Sequence, residues 1–312
     1  MGKLLKKLLI FSIPFIVLLA MFLAFEPYDY FGLKEESTYL SKPLSSMREL
    51  KREQPANIIL GDSRMANLNT DYIEEISGER YLMLGFGGAQ LGESIELFWY
   101  ATEHTKLEKV VLGFSFYNSG GDQGSGRIPI IEELAESPIM FTGNLNYWLE
   151  AINMLKLKTL NFVGTAFNRP ELIEYPEDPT TFAYNTVTDE RGDRYRKDLE
   201  DFAKIIEDMC AGYSLEDKTL EQLGAVISYC EENDIELTFV FPPMHDSIFD
   251  VVDKLDIEKY REKSKEYISS RAKAIDFEVK NDFSANEDNF YDGFHLQGEQ
   301  KKWLAESIFK ID

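Results

Sequence analysis

Residues 57–64 read Asn57-Ile-Ile-Leu60-Gly61-Asp62-Ser63-Arg64. A short unbroken apolar run that stops at a glycine is the pattern of a strand buried on both faces and leaving its sheet through a tight turn. Asp62 and Ser63 are of the types that open helices, because their side-chain oxygens accept backbone N–H groups left without partners in a first turn. The octet therefore predicts strand, turn and helix in immediate succession.

Similar units recur along the chain. Tyr81–Leu84 is a second apolar run, ending in Gly85-Phe86-Gly87-Gly88, and Leu91–His104 follows with helical spacing. Val110–Leu112 is a third strand. After residue 215, Leu220, Leu223, Ile227 and Cys230 mark a helix over Thr219–Glu232. Glu236–Phe241 is a strand that stops at Pro242-Pro243. A charged helix over Ile257–Lys273, an edge strand over Ala274–Val279 and a last helix over Gly298–Lys310 complete the pattern. Short apolar strands alternating with helices predict an α/β domain, a parallel sheet between two layers of helices. It spans residues 55–312 and is interrupted by an insertion at 119–212. The insertion holds an apolar helical stretch near Leu145–Leu160 and a loop rich in proline and aromatics over Arg169–Tyr195. A connection of that length is either a cover over a binding site, with Trp148, Phe162, Phe167, Tyr175, Phe182 and Tyr184 as its aromatics, or a packed subdomain.

The 312-residue chain begins differently. Lys3, Lys6 and Lys7 precede Leu8–Phe25, which carries no charge. At 1.5 Å per residue this run reaches roughly 27 Å, the thickness of a bilayer's hydrocarbon core. The lysines favour a cytoplasmic N-terminus, so residues 1–25 are expected to form a single-pass anchor, 26–54 a stalk, and the domain to lie outside the cytoplasm. A cleaved signal peptide is the rival, but Phe22 stands where a small residue is wanted before a cut after Ala24. The net charge of −22 argues against nucleic acid, which needs a basic face. No spacing suggests a metal site and no cofactor is called for. Cys210 and Cys230, the two cysteines, either pair outside the cell or pack as thiols.

In open parallel sheets ligands bind beyond the carboxyl ends of the strands. The segments there are Gly61–Arg64, Gly85–Gln90, Gly113–Asn118, Pro242–His245 and, after the last strand, Asp292-Gly293-Phe294-His295. A serine hydroxyl is a weak nucleophile that needs an adjacent base, and histidine titrates near neutrality. A carboxylate three residues before the histidine can hold its other ring nitrogen. Gly61-Asp62-Ser63 early in the domain, with Asp292-x-x-His295 before the final helix, resembles the SGNH/GDSL hydrolase family over residues 55–118 and 215–312. The resemblance implies a flavodoxin-like sheet with Ser63 as nucleophile, His295 as base and Asp292 as its orienting acid. It implies Ser63 and Gly88 as backbone donors to an oxyanion. Where the family often reads Gly-x-Asn-Asp, this chain has Gly113-Phe114-Ser115-Phe116, so Asn118 either supplies the missing amide or that donor is lost. Arg64 either binds an anionic substrate or pairs with an acid, and His245 is either a substrate contact or structural.

An N-terminal anchor joined to such a domain also resembles bacterial envelope proteins that work beside membrane-bound O-acyltransferases, among them the D-alanyl transfer protein of teichoic-acid modification. That resemblance implies an esterase or O-acyltransferase acting on a cell-envelope polysaccharide or teichoic-acid-like polymer. The alternative is a non-catalytic accessory protein that binds glycan or a membrane acyltransferase.

Overall fold

The computed structural model describes residues 2–33, 43–120, 126–169, 172 and 192–310. In chain order the helices are α1 (Gly2–Phe25), α2 (Pro43–Glu53), α3 (Ser63–Ala66), α4 (Thr70–Ser77), α5 (Leu91–His104), α6 (Arg127–Glu136), α7 (Pro138–Gly143), α8 (Leu145–Ala166), α9 (Gly192–Met209), α10 (Asp217–Glu232), α11 (Asp246–Lys254), α12 (Glu258–Ser269) and α13 (Gly298–Phe309). The strands are β1 (Asn57–Leu60), β2 (Leu82–Met83), β3 (Lys109–Gly113), β4 (Glu236–Phe241) and β5 (Lys273–Asp276). The chain groups into two compact units, Met1–Arg48 with Ile131–Asp178, and Glu49–Ile130 with Pro179–Asp312.

The second unit is an α/β fold built on a five-stranded sheet in the order β2-β1-β3-β4-β5, with every pair parallel. That order is the flavodoxin-like one, whose switch point lies between β1 and β3. Strand β5 stands at the edge. Successive residues of β1 face opposite sides of the sheet, and all four are buried, which is why its sequence is an apolar run rather than an alternation. On one side Ile59, Val111 and Val240 pack with Ile73, Leu304, Ala305 and Phe309 from α4 and α13. On the other, α5 and α10 cover the sheet.

The observed α5 matches the predicted Leu91–His104, and β4 matches Glu236–Phe241. Strand β2 shrinks to Leu82–Met83 because Leu84 and Gly85 both donate to the Ile59 carbonyl instead of continuing the ladder. Helix α11 lies between Pro242-Pro243 and the charged helix, over residues to which the sequence pattern assigns no element.

The first unit holds α1, α7 and α8. Among the described residues one helix, Lys6–Phe25, is long and apolar enough to cross a membrane. Leu8, Ile10, Phe11, Ile13 and residues 15–19 are exposed, whereas Phe22 is fully buried, 5.5 Å from the Phe141 ring and 4.6 Å from Trp148. Tyr30 stacks on Phe141 at 4.0 Å and donates its hydroxyl to the Leu134 carbonyl. Buried Glu26 accepts the backbone N–H groups of Tyr28 and Tyr30. Residues 22–30 are thus folded onto α7 and α8, and α2 occupies much of the segment read as a stalk. Of the insertion, residues 131–169 belong to this unit and α9 to the sheet unit. Tyr175, Phe182 and Tyr184 lie outside the described residues.

Candidate active site

The turn after β1 is shaped by close packing. Gly61 has φ +134°, a conformation side chains avoid, and a Cβ at Gly113 would stand 2.1 Å from Met65 Cγ. The bare ends of β1 and β3 let Met65 settle over them and fix where α3 begins. Asp62 is the N-cap of α3 and accepts the Arg64 N–H at 3.0 Å. With the cap supplied by Asp62, the neighbouring Ser63 hydroxyl has no capping task.

Ser63 Oγ lies 2.6 Å from His295 Nε2. The histidine arrives on the turn before α13, where Gly293 at φ +81° lets the chain double back. Asp292 organises that turn: Oδ1 accepts the N–H groups of Phe294 and His295 at 3.0 and 2.8 Å, and Oδ2 sits 2.8 Å from His295 Nδ1. A carboxylate at Nδ1 makes that nitrogen the donor and leaves Nε2 to accept from Ser63. Burial alone would raise the Asp292 carboxyl. The charge and hydrogen bonds of His295 and the Phe294 N–H outweigh it, holding the group below its ordinary value. Lys301 of α13 is also buried; burial lowers its pKa, and the Asp292 charge acts against that shift. The three residues that sequence reading set at opposite ends of the domain are joined in one hydrogen-bonded line.

Of the two readings open for Arg64, a substrate contact or a partner to an acid, its contacts match the second. Its side chain is 3 % exposed, and Nε lies 3.5 Å from Asp62 Oδ2. One terminal nitrogen donates to Ser115 Oγ, the other to the Pro242 carbonyl at 3.3 Å, and the guanidinium lies 4.2 Å over the Phe294 ring. Ser115 and Tyr117 both donate to Asp62 Oδ2. Burial would raise Asp62, but Arg64 and these donors hold it low. A buried ion pair thus ties the turn after β1 to the segments following β3, β4 and β5. The Gly-Phe-Ser-Phe segment that departs from the family pattern supplies one of these hydroxyls, Ser115, and Tyr117 directly after it supplies the other.

For His245, open between a substrate contact and a structural role, the contacts match the structural one. It is the N-cap of α11, its Nδ1 accepting the Ser247 N–H at 3.1 Å, and burial lowers its pKa. Its own N–H donates to the Gly293 carbonyl at 2.8 Å, pinning the histidine-bearing turn.

Gly88 has φ +71° in the turn after β2, with open space where a side chain would be. Asn118 donates to the Ala89 carbonyl at 2.8 Å, so the two candidate oxyanion residues meet at one turn. Beneath that turn, fully buried Glu93 accepts the Gln90 N–H and holds Arg127 through both carboxylate oxygens, at 2.9 and 2.7 Å. Sequence reading missed Phe202 of α9, which stacks on Phe294 and meets His295 edge-on. No spacing within the insertion points to it. Cys210 and Cys230 are free and buried, and burial pushes both thiols up to about 12. Among the described residues no three His, Cys, Asp or Glu side chains form a metal-binding group.

No family model matches the sequence, and no curated protein matches it. Two solved structures are similar at 12 % identity and a TM-score of 0.40. One, from Streptococcus pneumonia, is provisionally described as a platelet activating factor; the match covers 86 % of this chain and 91 % of that one. The other, from Bacteroides fragilis, is provisionally described as an acylhydrolase, with 88 % and 95 % covered. Likeness at that level carries no argument about chemistry, which rests on the geometry above.

Proposed function

We propose that the protein is a serine-dependent acyl ester hydrolase or O-acyltransferase that works through an acyl-Ser63 intermediate on a polymer of the cell envelope. The observation that carries this reading is the line from Asp292 through His295 to Ser63, with contacts of 2.8 and 2.6 Å. In this reading Ser63 Oγ attacks the acyl carbonyl carbon while its proton passes to His295 Nε2, and Asp292 stabilises the imidazolium. The carbonyl π electrons move to oxygen, where the N–H groups of Ser63 and Gly88 and the Asn118 amide are the candidate donors. Asn118 has two amide hydrogens, one of them given to Ala89. Collapse expels the leaving oxygen, which takes the proton from His295, and leaves the acyl group on Ser63. A polymer hydroxyl or water then gives its proton to Nε2, attacks the acyl carbon and returns Ser63.

Three features support the envelope setting: the basic-flanked apolar helix, the acidic remainder, and the resemblance to proteins that partner membrane-bound O-acyltransferases. The test is covalent. A fluorophosphonate probe should label the parent at Ser63, and neither Ser63→Ala nor His295→Ala should be labelled. Equal labelling of parent and His295→Ala overturns the assignment of the base. A parent that takes no label leaves a binding protein on an α/β scaffold. Acyl transfer is distinguished from hydrolysis by supplying a labelled acyl donor with purified teichoic acid and asking whether the label reaches the polymer.

A further inference from the structure

One helix beside the reacting groups has no part in the proton transfers. Helix α9 comes from the inserted segment, and its Leu199 lies against the turn that carries the base: a Cβ on Gly293 would stand 2.6 Å from Leu199 Cδ2. Leu199 and Ile206 are buried on α9, and Cys210 is buried just past its end. Phe202 lies between Leu199 and Ile206 in sequence. Its ring stacks on Phe294 at 5.1 Å with 19° between planes, and meets the His295 imidazole edge-on at 5.5 Å. Ile205 and Met209 lie three and seven residues on, so the three side chains share one stripe of the helix. Ile205 and Met209 are 48 % and 51 % exposed.

An isolated exposed apolar residue is ordinary. A row that starts against the general base and continues along about 10 Å of helix toward solvent is a surface with a direction. Its first member touches the imidazole that must stand beside any acyl carbon on Ser63. Its members offer no hydrogen bonds, which a sugar ring would require, and they can shed water only against something apolar.

We infer that Phe202, Ile205 and Met209 form the track that receives the acyl chain, and that the group carried by Ser63 is an aliphatic acyl chain longer than acetyl. This rests on the acyl-serine reading and narrows its substrate class. The chain leaves the carbonyl carbon beside His295, passes the Phe202 ring first and reaches Met209 last.

The test uses full-length protein in detergent and p-nitrophenyl esters of acetate, butyrate, hexanoate and octanoate. In the parent kcat/KM should rise roughly two- to fourfold per methylene along the series. Phe202→Ala should flatten the rise from its first carbons, and Met209→Ser should lower the octanoate-to-hexanoate ratio while sparing the butyrate-to-acetate ratio. Phe202→Trp, which keeps an aromatic ring against Phe294 but fills the start of the track, should also lower the octanoate-to-acetate ratio. Lys204→Ala, on another face of α9, should retain the parent's profile. A loss by the same factor at every chain length means that Phe202 only supports His295, and overturns the inference. So does inhibition of the parent by chitotriose that disappears in Phe202→Ala, which would assign the ring to a sugar. A parent that neither cleaves the acetate ester nor takes label at Ser63 overturns the acyl-serine reading, and this inference with it. A labelled, active parent with no chain-length preference overturns this inference alone.

Discussion

In the proposed reading Ser63 and His295 act as one unit in the proton path, so removing either should cost nearly what removing both would. Ser63→Ala and His295→Ala are each expected to lower kcat roughly 10⁴-fold with the melting temperature little changed. Asp292→Asn should cost somewhat less. The amide no longer dictates which imidazole nitrogen carries the proton, yet it can still accept the Phe294 and His295 N–H groups. Single-turnover release of p-nitrophenol checks all three. The same residue predicts a pH effect on stability. Asp292 is depressed in the folded state, so its stabilisation is complete above the unfolded carboxyl's value of about 3.9 and is lost as pH falls through the lower folded value. The difference in melting temperature between the parent and Asp292→Asn should therefore shrink on acidification from pH 5 to about pH 3. A difference that stays constant over that range would mean that the carboxylate contributes nothing through its charge.

At the scale of elements, the site is held by packing between strand ends and by helix caps. Gly113 illustrates the first, because a methyl group there collides with Met65, which itself covers the turn that presents Ser63. Gly113→Ala is expected to destabilise the sheet unit by about 1–3 kcal/mol. In a double-mutant cycle with Met65→Ala the two costs should not add, since the shortened side chain vacates the space. Additive costs in urea denaturation would place the strain elsewhere. The His245 cap illustrates the second. Its folded pKa is lowered by burial, so the cap is intact above the unfolded histidine's value of about 6.5 and weakens as pH falls below it. His245→Asn keeps a capping acceptor without the titration. It should reduce the loss of stability between pH 7 and pH 5 while keeping turnover of a small ester within a fewfold of the parent. A hundredfold loss of turnover would return His245 to the substrate.

At the scale of the whole molecule, the boundary between the exposed apolar stretch and the folded chain falls inside α1. The apolar side chains of residues 15–19 are exposed, whereas Phe22 is buried among Phe141 and Trp148. Deleting residues 2–20 should therefore release the protein from membranes and leave the melting of the first unit close to that of the parent. Deleting residues 2–25 removes Phe22 as well, and Phe22→Ala alone should cost about 3–5 kcal/mol. Carbonate extraction and differential scanning calorimetry separate the two properties. A shorter deletion that still sediments with membranes would show that α1 is not what holds the protein there.

The features legible in the chain alone were local ones. Buried parallel strands must be apolar on both faces, so β1 and β4 appeared as runs with their correct ends, and the glycines and polar residues after them marked the edge where Ser63 and His295 meet. The apolar run after three lysines needed only its length to be read. Gly-Asp-Ser and Asp-x-x-His were visible as motifs because each is completed within a few residues. The partners of Arg64 were not visible. Its contacts with Asp62, Ser115, Pro242 and Phe294 join four segments spread over more than 200 residues, and a guanidinium can serve an acid or a substrate equally well until those segments meet. His245 was undecided for a related reason, since capping is recognised only once α11 exists to be capped. The placement of Phe202 beside His295 was decided by tertiary structure alone. An aromatic on an amphipathic helix can face any neighbour, and the packing of Leu199 against Gly293 and of Phe202 on Phe294 brings that helix beside His295.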